Sequence, residues 1–285
     1  MQQIFAINTY KANMNSSALN QTPLLNYQQV GQGDHIILIH GLFGSLENLN
    51  MVAKTLANDF TVTSVDVRNH GSSFHADNMN YSVLAQDVIK LLDHLAIDNA
   101  HILGHSMGGK IAMQLALEYG DRINTLIVAD IAPVQYPNHH QQIINGLKAI
   151  DLTKVLKRKD ADEQLSMYVP EQGVRQFLLR NLALNEQKHF YFKCSLALID
   201  QCYSQVMLAN KLDDKSNIQV AKRFEKPTMF IKGGNSNYIL PEHQHDILAL
   251  FPQSKAKVIQ GAGHWLHAEK TTAFNKIVLN FLKAL

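Results

Sequence analysis

An α/β fold with a mostly parallel eight-stranded sheet, helices on both faces and an inserted helical cap is predicted by three features of the 285-residue sequence. Short runs rich in Ile, Val and Leu alternate with longer amphipathic segments, the order in which parallel strands are joined by crossover helices. The runs are apolar at successive residues, as strands covered on both faces require. The alternation then stops between Asp130 and Pro227, where helix-like spacing continues without a strand.

Taken in order, strands are predicted at 36–40, 60–66, 100–104, 125–130, 227–232 and 255–259, with antiparallel edge strands near 4–10 and 24–29. Helical spacing falls at about 47–58, 81–95, 107–119, 242–251 and 270–284. Residues 1–133 and 227–285 make up the core, with 1–22 as an N-terminal extension whose polar part, 10–22, is mobile. Residues 134–226, with helical spacing at 139–149, 161–168, 171–182 and 188–209, form the cap, which overhangs the carboxyl edge of the sheet.

The chemistry is concentrated in a few turns at that edge. Gly104-His105-Ser106-Met107-Gly108-Gly109 follows the run His101-Ile102-Leu103 and precedes a helix, fitting the G-x-S-x-G strand-to-helix elbow. A serine hydroxyl is a weak nucleophile, and a turn this tight exposes it while leaving no room for side chains beside it. Ser106 is therefore the candidate nucleophile. The Met107 N–H opens the following helix, where dipole and amide both favour a developing negative charge. The run Ile36–Ile39 ends in His40-Gly41-Leu42-Phe43-Gly44, a turn placed to supply the second oxyanion donor; Leu42 is assigned, with Phe43 as the alternative. His40 reads as a satisfied structural histidine.

The order serine, acid, histidine places the general base at His264, in the turn Gly261-Ala262-Gly263-His264-Trp265 after the last strand. His139, His140, His243 and His245 lie in polar stretches and read as solvated helix faces. The acid is harder to place. The turn that usually carries it reads Gly233-Gly234-Asn235-Ser236, and a serine cannot stabilise an imidazolium. Asp130 ends the strand 125–130 at the same edge as Ser106 and His264 and is assigned instead. Glu242, Asp246 and Glu269 read as helix-face charges, and Asp66 as a loop residue paired with Arg68.

With His40-Gly41-Leu42-Phe43-Gly44-Ser45, Asp66-Val67-Arg68-Asn69-His70-Gly71, the elbow, Asp130-Ile131-Ala132-Pro133, Gly233-Gly234-Asn235-Ser236 and Gly261-Ala262-Gly263-His264-Trp265, the chain from about residue 24 onward resembles the bacterial YbfF-type esterases of the α/β-hydrolase superfamily. The resemblance implies a triad of Ser106, Asp130 and His264, and activity on acyl esters and acyl-CoA thioesters. The expected partner is thus a small-molecule ester or thioester. Phe177, Leu178, Phe190, Tyr191, Phe192, Tyr203 and Met207 of the cap either line an acyl channel or pack the cap on the core. Two rival classes remain, a lyase or carbon–carbon hydrolase on the same scaffold and a catalytically silent binding module.

Composition agrees with a cytoplasmic enzyme. A net charge of +2 gives no reason to invoke nucleic acid, and 46% hydrophobic content suffices for a core without metals or disulfides. There is no membrane-length apolar run, and Met1 to Tyr10 lacks the basic start of a signal peptide. Cys194 and Cys202, placed in one predicted helix, lie about 12 Å apart by rise alone, beyond disulfide reach. No H-E-x-x-H or Cys/His ligand set is present, so neither metal nor cofactor is expected. Monomer and homodimer are both compatible with the sequence. The basic cluster Lys154, Lys157, Arg158 and Lys159 reads either as a solvated cap surface or as a contact for coenzyme A phosphates.

Overall fold

The computed structural model describes residues 23–210 and 223–284. The strand expected at 4–10 and the mobile segment expected at 10–22 lie outside the described residues. Among the described residues, seven strands form the central sheet: β1 (Tyr27–Val30), β2 (His35–Ile39), β3 (Thr61–Val65), β4 (Ala100–His105), β5 (Ile123–Ala129), β8 (Thr228–Gly233) and β9 (Ser254–Ile259), while β6 (Leu182–Leu184) and β7 (Phe190–Phe192) fall in the insertion. Their order is β1-β3-β2-β4-β5-β8-β9, with β1 antiparallel to β3 and every other pair parallel.

Alternate side chains of β2 explain the two-sided cover. Ile37 and Ile39 enter one apolar cluster with α2 (Tyr81–His94) and α3 (Met107–Glu118). Ile36 and Leu38 enter another with α1 (Asn50–Leu56) and the helix Thr271–Leu282. All four isoleucine and leucine residues are at most 1% exposed, so this strand has no solvent face to encode in polar residues.

The insertion between β5 and β8 holds α4 (Gln141–Lys148), α5 (Arg158–Leu165), α6 (Gln172–Leu178) and α7 (Leu196–Val206). It also holds an antiparallel hairpin, β6 (Leu182–Leu184) with β7 (Phe190–Phe192), where the sequence reading expects no strand. Phe190-Tyr191-Phe192 has high β-propensity, and Lys188 adopts φ +61° in the turn, where Asn185 Oδ1 accepts from the His189 N–H. Cys194 precedes α7 instead of sharing a helix with Cys202, and both thiols are free and buried. Lys110 of α3 fastens the insertion at both ends: its Nζ donates to the Val134 carbonyl and, at 2.9 Å, to that of Leu208. Burial lowers its pKa to about 7.

The elbow is sterically closed. A Cβ at Gly104 would lie 2.0 Å from the Gly108 carbonyl oxygen, and one at Gly108 would lie 2.2 Å from that of Ile39. Both contacts are to backbone, which cannot swing aside. Gly108→Ala is expected to lose about 3 kcal/mol of stability through overpacking, read as a lower urea midpoint at unchanged m value. An unchanged midpoint would mean that α3 does not press on β2 this closely.

Candidate active site

Three turns at the carboxyl edge of the sheet carry the candidate residues. Ser106 sits between β4 and α3 with φ +54° and ψ −119°, a strained conformation that lifts its side chain off the strand end. Its N–H donates to the Ala129 carbonyl, which ties the elbow to the next strand. Asp130 follows β5, also at positive φ (+55°). His264 lies in the turn after β9.

The structure brings all three together. His264 Nε2 is 3.0 Å from Ser106 Oγ, and His264 Nδ1 is 2.8 Å from Asp130 Oδ2. Asp130 is fully buried, so its charge depends on local donors. The Gly233 N–H reaches Oδ1 at 2.9 Å, and the Ser236 hydroxyl donates to Oδ2. Ser236 thus occupies the turn where an acid was sought and acts as a donor to the acid that is present. Glu242 and Asp246 are exposed, and Glu269 accepts from the Gly263 N–H at 2.6 Å, fastening the His264 turn.

Of the two candidate oxyanion donors in the first turn, the Phe43 N–H donates to His70 Nε2 at 3.1 Å. The N–H groups of Leu42 and Met107 have no acceptor among the described residues. His70 Nδ1 in turn donates to the Arg68 carbonyl at 2.9 Å, and burial lowers the His70 pKa to about 3, so the ring is neutral and Nε2 is free to accept. His40 is satisfied as expected: its Nε2 accepts from the Val67 N–H at 3.0 Å, leaving Nδ1–H to donate to the Gly41 carbonyl.

Several sequence readings need correction. Arg68 does not pair with Asp66; it makes a two-pronged bond to Asp87 of α2, with both N···O distances 2.6 Å. Asp66 instead accepts from the N–H groups of Leu46 and Ser72 and from Asn26 Nδ2. His140 is half-buried and does not lie on a solvated helix face. It lines the cavity beside Ser106, bonded to Tyr203 and Tyr238, and burial lowers its pKa to about 4. His105 was seen only as a motif letter, yet its Nε2 donates to the His264 carbonyl at 2.8 Å. Burial keeps that imidazole well below its ordinary pKa.

The cavity next to Ser106 measures about 210 Å³ and is walled by apolar groups that include Ile131, Ile143, Val174, Val206 and Trp265. Phe177, Leu178 and Met207 reach it from the insertion; Phe190, Tyr191, Phe192 and Tyr203 do not. Within the basic cluster, Arg158 is held by backbone and the lysines are paired at most at the surface. Arg158 donates to the carbonyls of Leu179 and Leu182, Lys154 pairs with Asp151, and Lys159 pairs with Glu163.

A model of the alpha/beta hydrolase fold family matches residues 34–163. Esterase YbfF of Escherichia coli K12 is 38% identical over 259 residues, which cover 89% of this chain and 96% of that protein. The sn-1-specific diacylglycerol lipase ABHD11 of Mus musculus is 38% identical, with 87% and 80% covered. Among solved structures, a marine microorganism esterase matches with a TM-score of 0.86 at 35% identity, over 91% of this chain and 100% of its own. A parallel sheet with a serine elbow at its carboxyl edge defines the class as a serine-type α/β hydrolase. Within it, the chain belongs to the YbfF-type esterases, a family of carboxylic ester hydrolases.

Proposed function

We propose that the protein hydrolyses small acyl esters through an acyl-Ser106 intermediate, with His264 as general base and acid and Asp130 as its carboxylate partner. The reading is carried by the unbroken run from Ser106 Oγ through the two ring nitrogens of His264 to Asp130 Oδ2, at 3.0 and 2.8 Å, on the wall of an apolar cavity. Ser106 Oγ attacks the ester carbonyl as Nε2 takes its proton, and Asp130 stabilises the imidazolium through Nδ1–H. The N–H groups of Leu42 and Met107 hold the oxyanion; Leu42 is preferred because the Phe43 amide is taken by His70. His264 then passes its proton to the departing oxygen, and water releases the acid by the same steps in reverse order.

Residues 134–226 serve in this reading as a cap over a core of 1–133 and 227–285, and Phe177, Leu178 and Met207 contribute to the acyl wall. Acyl-CoA thioesters belong to the same proposal, since a thiolate leaves as readily as an alkoxide by this route. Lys159, whose pair with Glu163 is long and exposed, remains available to the phosphates of such a substrate, whereas Arg158 is held by backbone carbonyls. The buried free thiols of Cys194 and Cys202 suit a cytoplasmic location. Among the described residues no helix is long and apolar enough to cross a membrane.

The test is kcat/KM across p-nitrophenyl esters and acyl-CoA thioesters of rising chain length, with Ser106→Ala as blank. A Ser106-dependent optimum at one acyl length is expected. A higher value for the thioester than for the ester of the same acyl group would assign a thioesterase. Turnover that survives in the blank, or none on either series, would overturn the reading and bring forward a lyase or a silent binding module.

A further inference from the structure

Tyr238 follows β8 in the loop that carries Ser236, and its ring lies flat on the imidazole of His264, with centroids 3.9 Å apart and planes inclined by 23°. A face-on aromatic contact at this distance limits rotation of the imidazole about χ2. It also attracts the ring more strongly once that ring carries a proton, because the negative face of the π system meets the cation.

The tyrosine is itself held from two sides. In its own loop, the Tyr238 N–H donates to Ser236 Oγ at 3.2 Å, and the hydroxyl of Tyr136, at the start of the insertion, donates to the Tyr238 carbonyl. On the insertion side, Tyr238 Oη is 3.2 Å from Nε2 of His140, which caps the start of α4. His140 is held in turn by Tyr203 of α7, whose hydroxyl accepts from the His140 backbone N–H at 2.8 Å and lies 3.0 Å from Nδ1.

The direction of these bonds follows from proton counting. Tyr203 is 2% exposed, and no acceptor for its hydroxyl proton other than His140 Nδ1 is found among the described residues. Nδ1 therefore accepts, the neutral imidazole carries its proton on Nε2, and Nε2–H donates to Tyr238 Oη. A continuous chain runs from α7 through α4 to the aromatic plate on His264.

Resting on the triad reading above, we propose that Tyr238 is a positioning residue for His264, and that the Tyr203–His140–Tyr238 chain makes alignment of the base depend on seating of α4 and α7 against the core. The hydroxyl chain fixes the plane of the tyrosine, and the tyrosine fixes the plane of the imidazole between Ser106 and Asp130. Substrate contact is not what Tyr203 supplies, since it lies outside the cavity lining.

The experiment is steady-state hydrolysis of a p-nitrophenyl ester by the full chain and by Tyr238→Leu, Tyr238→Phe and Tyr203→Phe, with Ser106→Ala as blank. Tyr238→Leu is expected to lower kcat by about 100-fold with KM little changed, the scale of a catalytic group displaced by about 1 Å. Tyr238→Phe keeps the stack but cuts the hydroxyl chain at its last link, so it should lose only about tenfold, as Tyr203→Phe does. Tyr203→Phe, far from the substrate, should lower kcat by about tenfold at constant KM, the equivalent of one lost hydrogen bond. If Tyr238→Leu does not fold, Tyr203→Phe decides alone.

Wild-type kcat in Tyr203→Phe, or a Tyr238→Phe loss seen only in KM, would overturn the proposal, the latter by making the hydroxyl a substrate contact. Turnover persisting in Ser106→Ala would instead remove the triad and, with it, the base to be positioned. A dead blank beside a fully active Tyr238→Leu removes the positioning role alone.

Discussion

Ser106→Ala is expected to lower kcat on p-nitrophenyl esters by roughly 10⁶-fold, with His264→Ala close to the same loss and the double variant no worse than either. The non-additivity follows from the geometry: with Nε2 3.0 Å from Oγ, each group works only through the other. Asp130→Asn should cost about 10⁴-fold, because an amide in that place favours the wrong imidazole tautomer and cannot neutralise the imidazolium. The variant should still fold, since an asparagine carbonyl can accept from the Gly233 N–H as Asp130 does. Ser236→Ala removes one donor to the carboxylate and leaves the charge in place, so its loss should be far smaller, about tenfold. The double exchange Asp130→Ser with Ser236→Asp is the sharper comparison. It returns the carboxylate to the turn after β8, from which position 236 already touches the oxygen that His264 uses. Turnover above that of Asp130→Ser is expected. Near wild-type kcat in Asp130→Asn would sink the acid assignment.

Much of this site could be read from sequence because its parts are local. Gly104 and Gly108 flank Ser106 in the chain, and the steric reason for them lies within the same turn. The apolar runs of β2 to β5 carry their burial in plain composition. What escaped was set by distant partners. Arg68 finds Asp87 nineteen residues away on α2, not Asp66 two residues away, because the side chains at the strand end leave it in different directions. The hairpin of β6 and β7 has three residues per strand, too few for a period of two to stand out from one of 3.6. His140 sits among Pro137, Asn138, His139 and Gln141, and no polar stretch announces that one of its members folds inward against Tyr203 and Tyr238. Ser236 was read as a missing acid because a hydroxyl's partner cannot be seen along the chain.

Acid should destabilise this protein steeply, beginning below pH 6.5. Four imidazoles that are at most 5% exposed, His40, His70, His105 and His267, have folded-state pKa values pushed down by burial, to about 3 for His70 and about 4 for His267. In the unfolded chain each returns to the ordinary value of 6.5. Between those limits the unfolded state binds more protons, so unfolding free energy falls as pH falls, by about 1.4 kcal/mol per pH unit for each histidine. His70 and His267 together give about 3 kcal/mol per unit, and His40 and His105 add in the same direction, against the roughly 5–15 kcal/mol available to a domain. The loss begins below 6.5 and is complete only once pH has passed the folded values. Urea unfolding at pH 7.5, 6.5, 5.5 and 5.0 measures the slope; stability flat down to pH 5.0 would mean that these rings are already charged in the fold. His267→Leu isolates one contribution, because Nδ1 of His267 is buried without a partner among the described residues, so an apolar replacement orphans nothing at that atom. Its acid slope should be shallower by about 1.4 kcal/mol per pH unit. The same protonations are incompatible with contacts of the site. A charged His70 can no longer accept the Phe43 N–H, and a charged His105 adds a cation beside His264. With the folded His70 value at about 3, these rings take up protons as the chain unfolds, so the turns carrying Leu42 and His264 should open together with the core.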